Sequence, residues 1–135
     1  MGRNGEQVRQ LFKDLERLDF AAVANHCTAD CVYEDVPYAE ATVIGPDAIR
    51  AKLALGLGTL ERLSTTIHEL VENGDTLLVE RTEVWHHPTG ERATLRVAAV
   101  FKFRDGRIGL WRDYWDAKTL FAQQPASWLP ELPRP

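Results

Sequence analysis

The longest regular pattern in this sequence is a strict alternation that runs from Arg92 to Phe103. Every second side chain of this stretch is apolar, at Ala93, Leu95, Val97, Ala99, Phe101 and Phe103. Successive side chains of a β-strand point to opposite faces, so the pattern predicts a long strand with one entirely apolar face. A strand of this kind has to lie in a sheet whose apolar face is covered by another layer.

Neighbouring stretches predict the rest of that sheet. Asn73-Gly74 and Asp105-Gly106 are strong hairpin signals, and Pro88-Thr89-Gly90 predicts a further turn. These turns separate four predicted strands, at residues 64–71, 77–85, 92–103 and 107–116. A fifth strand is predicted at residues 31–36, where Pro37 ends it. We expect the four long strands to form a sequential antiparallel meander.

Two helices are predicted at the start of the chain. Asn4 and Gln7 have the spacing of a capping box ahead of apolar residues at helical intervals. Asp19 is expected to cap a short second helix that runs to about Cys27. Residues 28–30 are predicted to form an irregular segment between this helix and the first strand.

A third helix should begin at Pro46, because proline is favoured at the first helical position. Gly56 and Gly58 are expected to end it. Helices combined with a meander of long strands predict an α+β domain, in which a curved, mostly antiparallel mixed sheet wraps over the helices. This arrangement would enclose a cone-shaped apolar pocket.

Composition excludes several classes of protein. The chain has 135 residues, enough for one compact domain, and its net charge of −4 gives no electrostatic footprint for nucleic acid. No apolar run reaches the roughly 20 residues that span a bilayer, and the start of the chain does not resemble a signal peptide. We therefore expect a cytoplasmic protein with no membrane and no nucleic-acid partner.

No metal or other cofactor is predicted. Cys27 and Cys31 are too few for a disulfide framework, and the histidines and cysteines lack zinc-ligand spacing. We expect one domain over residues 1–124 and a proline-rich tail over residues 125–135 without regular structure. Trp128 and Leu129 can still fold back onto the body.

Charged residues interrupt the apolar face of the strand at residues 77–85. Alternation places Leu77, Val79, Arg81, Glu83 and Trp85 on one side. Burying an unpaired charge costs several kcal/mol, so Arg81 and Glu83 need charged partners from elsewhere in the fold. Finding those partners predicts the functional site.

Two other strands carry suitable partners. Asp113 shares a face with Trp111 and Trp115, and Tyr33 shares a face with Asp35. In a sequential meander the Asp113 strand lies one strand away from the Arg81 strand, and the Tyr33 strand can complete the set. The candidate site therefore consists of Tyr33, Asp35, Arg81, Glu83 and Asp113.

Three carboxylates around one arginine would carry a net charge of minus two. Like charges about 4 Å apart repel by roughly 4 kcal/mol at an effective dielectric constant near 20. We therefore expect the cluster to keep at least one proton near neutral pH. A protonated acid beside an ionised base is what acid–base catalysis requires, although a buried ion-pair network can also be purely structural.

Three motifs resemble the limonene-1,2-epoxide hydrolase family, within the SnoaL-like and NTF2-like group of cone-shaped α+β folds. They are Tyr33-Glu-Asp-Val-Pro37, Glu80-Arg-Thr-Glu83 and Trp111-Arg-Asp-Tyr-Trp-Asp116. The similarity extends over roughly residues 5–122. The resemblance implies that water opens an epoxide in one step, without a covalent intermediate or a cofactor.

The resemblance also implies a role for each site residue. Asp113 would be the general base on water, Arg81 the bridge between two acids, and Glu83 the general acid on the epoxide oxygen. Tyr33 matches a tyrosine that holds the water. Asp35 stands where the family has asparagine, and this change leaves open whether Asp35 or Asp113 is the base.

The expected substrate is a small lipophilic epoxide. The predicted lining of the pocket is apolar and comprises Leu77, Val79, Trp85, Leu95, Val97, Ala99, Phe101, Trp111 and Trp115. Two alternatives remain, because this fold hosts many functions. One is a SnoaL-like cyclase or a ketosteroid isomerase-like enzyme, and the other is a non-catalytic domain that binds a hydrophobic ligand.

Residues outside this set receive structural interpretations. His86 and His87 are expected to be solvated at a strand end, and Tyr114 and Asp116 to point away from Asp113 as packing or interface residues. Apolar side chains such as Leu78 on the outer face of the sheet suggest cover by a second subunit. We therefore expect a homodimer, as is common in the resembling family.

Overall fold

The computed structural model describes residues 2–129, so the predictions for the prolines at 130, 133 and 135 lie outside the described residues. Within that range the chain forms four α-helices, one 3₁₀ segment and six strands. The helices are α1 (Arg3–Glu16), α2 (Phe20–Ala24), α3 (Pro46–Leu57) and α4 (Ala117–Ala122), and the 3₁₀ segment is Val36–Ala41. The strands are β1 (Cys27–Asp35), β2 (Val43–Ile44), β3 (Arg62–Asn73), β4 (Thr76–His86), β5 (Arg92–Arg104) and β6 (Arg107–Tyr114).

The described strands form one sheet in the order β2-β1-β6-β5-β4-β3. Strands β3 to β6 pair antiparallel in sequence order, as the hairpin signals predicted. Strand β1 runs parallel to β6, so the sheet is mixed and mostly antiparallel, as expected. The α+β fold class with helices on a curved sheet is confirmed, and β1 lies beside the strand that carries Asp113.

The apolar side of β5 is buried, as its alternation predicted. Phe101 is fully buried and Leu95 is 4% exposed. Helix α1 covers this side, with the ring of Phe12 edge-on to Phe101 at 6.1 Å and to Trp111 at 6.4 Å. The core therefore lies between the sheet and the helices, on the face that carries the predicted site.

The first helix is capped differently from the prediction. Helix α1 has Gly2 as its N-cap and no capping bond from its own side chains, so the capping box at Asn4 was wrong. The carboxylate of Glu72 on β3 instead accepts the backbone N–H groups of Gly2 and Gly5 at 3.0 and 3.1 Å. A negative charge at this end also complements the helix dipole.

The region after α2 corrects a second prediction. Asp19 caps α2 as expected, accepting from Ala22 N at 3.1 Å. The helix ends at Ala24, however, and β1 begins at Cys27. Residues 28–30 therefore belong to the strand and do not form an irregular segment before it. Cys27 pairs with Ile108 of β6 across a bulge. This long-range pairing extends the strand predicted at residues 31–36 to positions 27–30, where local sequence signals did not indicate a strand.

Two further predictions, for Asp116 and His87, are wrong in the region around α4. Strand β6 ends at Tyr114, and Asp116 is the N-cap of α4, accepting from Thr119 N at 2.8 Å, rather than a packing residue. His87 is 4% exposed and hydrogen-bonds Gln124 after α4, so it is not solvated. Helix α4 and the segment behind it cover this part of the sheet.

Trp128 folds back onto the body, as the sequence allowed. Its ring lies 5.6 Å from that of Trp85 and 5.2 Å from that of Phe121, and its indole N–H donates to the carbonyl of Gly56 at 2.8 Å. Gly56 lies inside α3, which ends at the Gly58 C-cap. The division at residue 124 into domain and tail stays a prediction. Among the described helices, none is long and apolar enough to cross a membrane.

Candidate active site

Arg81 joins two carboxylates in the buried interior of the sheet. Its Nε donates to Glu83 Oε2 at 2.9 Å, and its Nη1 and Nη2 donate to the two oxygens of Asp113 at 3.2 Å each. The three residues are 2%, 4% and 3% exposed. A paired geometry of this kind fixes both the distance and the orientation of the two acids.

The sheet register explains how Arg81 reaches Asp113 across an intervening strand. Strand β5 lies between β4 and β6, and Ala99 of β5 is the residue opposite both Val79 and Asp113. Alanine has only a methyl group, so it leaves space above β5 for the guanidinium. Phe12 of α1 covers that group from the helix side, with its ring centroid 4.5 Å from the guanidinium carbon of Arg81.

Each of the three carboxylates receives an indole N–H. Trp85 donates to Glu83 Oε1 at 3.0 Å, Trp111 to Asp113 Oδ1 at 2.9 Å, and Trp115 to Asp35 Oδ1 at 2.9 Å. The sequence interpretation treated these tryptophans as apolar lining only. Two of the pairs are separated by two positions on one strand, and this spacing was the signal that could have revealed them.

Tyr33 and Asp35 come to the site from β1. Tyr33 lies opposite Trp111 in the parallel register and stacks on it at 4.1 Å, and Asp35 lies opposite Asp113. The Tyr33 hydroxyl donates to Asp113 Oδ2 at 3.4 Å, a long contact. All five predicted site residues therefore lie together on one face of the sheet.

Lys52 of α3 also lies beside this group and was missed by the sequence interpretation. Its Nζ is 2.9 Å from Asp35 Oδ2 and 4.2 Å from the ring centroid of Tyr33. The lysine and aspartate side chains are 16% and 15% exposed. Lys52 follows Ile49 by three positions on an amphipathic helix, but nothing in that local spacing indicates which strand the lysine would meet.

Burial and charge together set the titration of these groups. Burial would lower the pKa of Arg81, but its attraction to Asp113 and Glu83 outweighs this and raises it, so the guanidinium stays charged. Burial, together with the negative charges of Asp35 and Asp113, holds the pKa of Tyr33 well above its usual range, which keeps its hydroxyl a donor. Burial and Asp113 also raise the pKa of Asp35, while Lys52 and Trp115 oppose the rise.

The predicted lining residues share the inner face of the sheet with the site. Leu77, Val79, Leu95, Val97, Phe101, Trp85 and Trp111 are buried, and Trp115 is half-buried beside the Tyr38 ring at 6.0 Å. Their role in binding a substrate stays a prediction. Across residues 2–129, no group of three or more histidine, cysteine, aspartate or glutamate side chains is arranged to hold a metal ion.

Comparison with known proteins places this architecture in a class. A family model described as a SnoaL-like domain matches residues 8–111. The chain therefore belongs to the family of SnoaL-like domains, as the sequence motifs indicated.

A curated relative is more specific. The chain is 31% identical over 115 residues to epoxide hydrolase EphG from Mycobacterium tuberculosis, a match that covers 84% of this chain and 74% of the relative. The resemblance to epoxide hydrolases is thus confirmed at the level of sequence.

Solved structures with the same fold include proteins that are named for different activities. An LEH-like epoxide hydrolase from M. tuberculosis matches with a TM-score of 0.76 and 29% identity, covering 90% of this chain and 88% of that one. A protein provisionally named a SnoaL-like polyketide cyclase, from Shewanella putrefaciens, matches with a TM-score of 0.80 but 12% identity, covering 91% and 86% of the two chains. The second likeness shows the fold alone.

Proposed function

We propose that this protein is an epoxide hydrolase that adds water to a lipophilic epoxide in one step and releases a vicinal diol. The observation that carries the proposal is Arg81, which holds Asp113 and Glu83 in one rigid, buried unit. Epoxide opening needs a base on water and an acid on the leaving oxygen at the same time. Two acids held by a common arginine meet that need.

The hydrogen bonds favour one assignment of the two acids. Asp113 accepts from Arg81 twice, from Trp111 and from Tyr33, whereas the donors to Glu83 within residues 2–129 are Arg81 and Trp85. Donors around a carboxylate stabilise its ionised form. We therefore assign Asp113 as the ionised base and Glu83 as the proton donor.

The proposed reaction balances with two proton transfers. The water oxygen bonds to an epoxide carbon while that carbon's bond to the epoxide oxygen breaks. Asp113 takes one proton from the water, and Glu83 gives its proton to the epoxide oxygen. One proton must then move from Asp113 to Glu83, directly or through solvent, before the next cycle. No cofactor takes part.

The water would lie between Tyr33, Asp35 and Asp113. The Tyr33 contact with Asp113 is the longest in the cluster at 3.4 Å, so it is the one that a water can replace at the lowest cost. An ionised carboxylate only accepts hydrogen bonds, so Asp35 would hold the second hydrogen of the water. The apolar lining around this position favours a lipophilic substrate.

A panel of terpene, styrene and alicyclic epoxides tests the assignment, with diol formation followed by chromatography. We expect Asp113→Asn to lower kcat by about 100-fold or more, because the amide cannot take the proton. The matched control is Asp105→Asn in an exposed hairpin turn with a φ of 52°, a conformation that asparagine tolerates. Absence of diol from every epoxide, or undiminished activity of Asp113→Asn, would remove the proposal.

A single turnover in ¹⁸O-labelled water tests the absence of a covalent intermediate. Direct attack places the label in the diol during the first turnover. Attack by a carboxylate would instead place an unlabelled enzyme oxygen there, and that result would overturn the one-step mechanism.

Arg81 also disfavours the alternative of a SnoaL-like cyclase or a ketosteroid isomerase-like enzyme. A cyclase or isomerase that removes a proton next to a carbonyl needs one available carboxylate, and here both buried acids are bound to a cation. Solvent deuterium exchange into a steroid or polyketide ketone, without diol formation, would favour that alternative. We also propose a homodimer in the cytoplasm, with the outer face of the sheet as the subunit contact.

A further inference from the structure

Counting Lys52 leaves the charges of the site one proton short of balance. Asp35, Glu83 and Asp113 supply three negative charges, and Arg81 and Lys52 supply two positive ones. One proton therefore makes the whole group neutral. Without Lys52, two protons would be needed for the same balance, and a buried net charge is costly.

The position of Lys52 assigns its charge to one acid. Its Nζ is buried and lies 2.9 Å from Asp35 Oδ2, while Asp35 Oδ1 accepts from the Trp115 indole. The face of the Tyr33 ring lies 4.2 Å from the same ammonium, which adds a favourable cation–π contact. Lys52 from α3 and Asp113 from β6 act on the charge of Asp35, and Tyr33 from its own strand interacts both with Asp35 and with Arg81 and Glu83 of β4.

We propose that Lys52 is a positioning residue that keeps Asp35 ionised, so that the single proton of the cluster stays on the pair of acids joined by Arg81. The inference rests on the proposed hydrolase function for its catalytic consequence. Asp35 and Lys52 form one neutral pair, and Arg81 with Asp113 and Glu83 forms a second group that is neutral with one proton. The second group then contains one acid and one base.

The pair also explains how an aspartate can replace a neutral amide beside the water. Unpaired, Asp35 would compete with Asp113 for a proton, because two carboxylates that face each other disfavour double ionisation. A protonated Asp35 would donate to Asp113 and weaken it as a base. With Lys52 present, both carboxylates can accept from the same water, which leaves a lone pair of its oxygen free to attack.

The first test needs no substrate. The pKa of the Asp35 carboxyl group can be followed by ¹³C NMR in the wild type, in Lys52→Met and in Lys52→Arg. Removal of the cation should raise the pKa of Asp35 above its wild-type value, and arginine should restore much of the difference. The matched control is Arg50→Met, which removes an exposed cation from the same helix and should leave that pKa unchanged.

The second test follows kcat/KM for diol formation against pH. A raised pKa of Asp35 leaves it protonated over a wider acidic range, so activity of Lys52→Met should fall about tenfold near pH 6 and recover as the pH rises. The loss should appear in kcat rather than KM. The double variant Asp35→Asn/Lys52→Met removes both charges, so its pH profile, whatever its absolute activity, should no longer show the added loss in acid.

The outcomes of these two tests distinguish the proposed role of Lys52 from the proposed hydrolase function. An unchanged pKa of Asp35 in Lys52→Met, or a pH profile that matches Arg50→Met, would overturn the role of Lys52. A raised pKa in a protein that hydrolyses no epoxide would uphold the charge pairing and reject the hydrolase function. If Lys52→Met does not fold, Lys52→Gln is followed by the same NMR titration: a raised pKa of Asp35 supports the inference, and an unchanged pKa overturns it.

Discussion

The carboxyl group of Glu83 is held by hydrogen bonds from two neighbouring side chains. Glu83 accepts from Arg81 Nε and from the Trp85 indole, one bond to each of its oxygens. Both donors come from its own strand, at positions two residues before and two residues after it. The carboxyl group is therefore held by local geometry, while its remaining lone pairs can still carry a proton.

We predict that Glu83→Gln lowers kcat for diol formation by about 100-fold or more, because an amide cannot donate a proton and become an anion. Steady-state kinetics together with circular dichroism would check this result in a folded protein. Glu61→Gln is the matched control, since Glu61 is exposed and lies just before β3, away from the outer face of the sheet. Full activity of Glu83→Gln would mean that another group protonates the epoxide oxygen.

The junction between α1 and α2 depends on one buried carboxylate. Asp14 accepts from Gln10 at 3.0 Å, from Arg17 at 2.8 Å and from His26 Nε2 at 2.9 Å, where the ring proton is assigned to fit the contact. Burial alone would raise the pKa of Asp14, but the bonds from His26 and Gln10 and the nearby positive charge lower it. The ionised form is therefore the one that stabilises these helices.

We predict that Asp14→Asn lowers the free energy of unfolding at pH 7 by about 1–3 kcal/mol, since three bonds to a charged acceptor are weakened. Urea denaturation would measure the loss. Because the pKa of Asp14 is depressed in the fold, its contribution is present above the ordinary value of 3.8 and is lost as the pH falls through the folded value. The gap between wild type and variant should therefore close in acid.

The matched control for Asp14→Asn is Asp19→Asn. Asp19 caps α2 with an exposed side chain, and asparagine caps helices about as well as aspartate. Its effect should be close to zero. An equal loss in both variants would mean that Asp14 contributes no more than an ordinary cap.

On the scale of the whole molecule, the outer face of the sheet presents an apolar surface. It includes Val71, Leu78, Ala98, Val100 and Tyr114, on four neighbouring strands. Leu78 is 50% exposed and Val71 is 60% exposed, and the two are paired across β3 and β4. A second copy of the chain could cover this surface with its own identical patch.

We predict a homodimer at micromolar concentration that Leu78→Glu converts to a monomer, because the substitution buries a charge in the contact. Sedimentation equilibrium would measure both states. Leu55→Glu on α3 is the control, since Leu55 is 67% exposed but lies away from this face. A monomeric wild type, or equal effects of the two variants, would contradict the proposed contact.

Local patterns were sufficient for strands β3 to β6 and for the grouping of side chains on each face. Alternation depends only on neighbouring residues, so it suffices to place Arg81 with Glu83, and Tyr33 with Asp35, on common faces. Turn residues then supplied the order of β3 to β6. The α+β class follows from these local features, and the order of β4 to β6 suffices to bring Arg81 and Glu83 close to Asp113.

Contacts between distant elements were beyond such patterns. The parallel pairing of β1 with β6, the burial of His87 against Gln124, and the meeting of Lys52 with Asp35 all join residues far apart in the chain. Their free energy comes from packing of a helix or strand against a surface that exists only after folding. The sequence alone determined which acids and which arginine share the inner face, and the tertiary structure decided which acid receives the second cation.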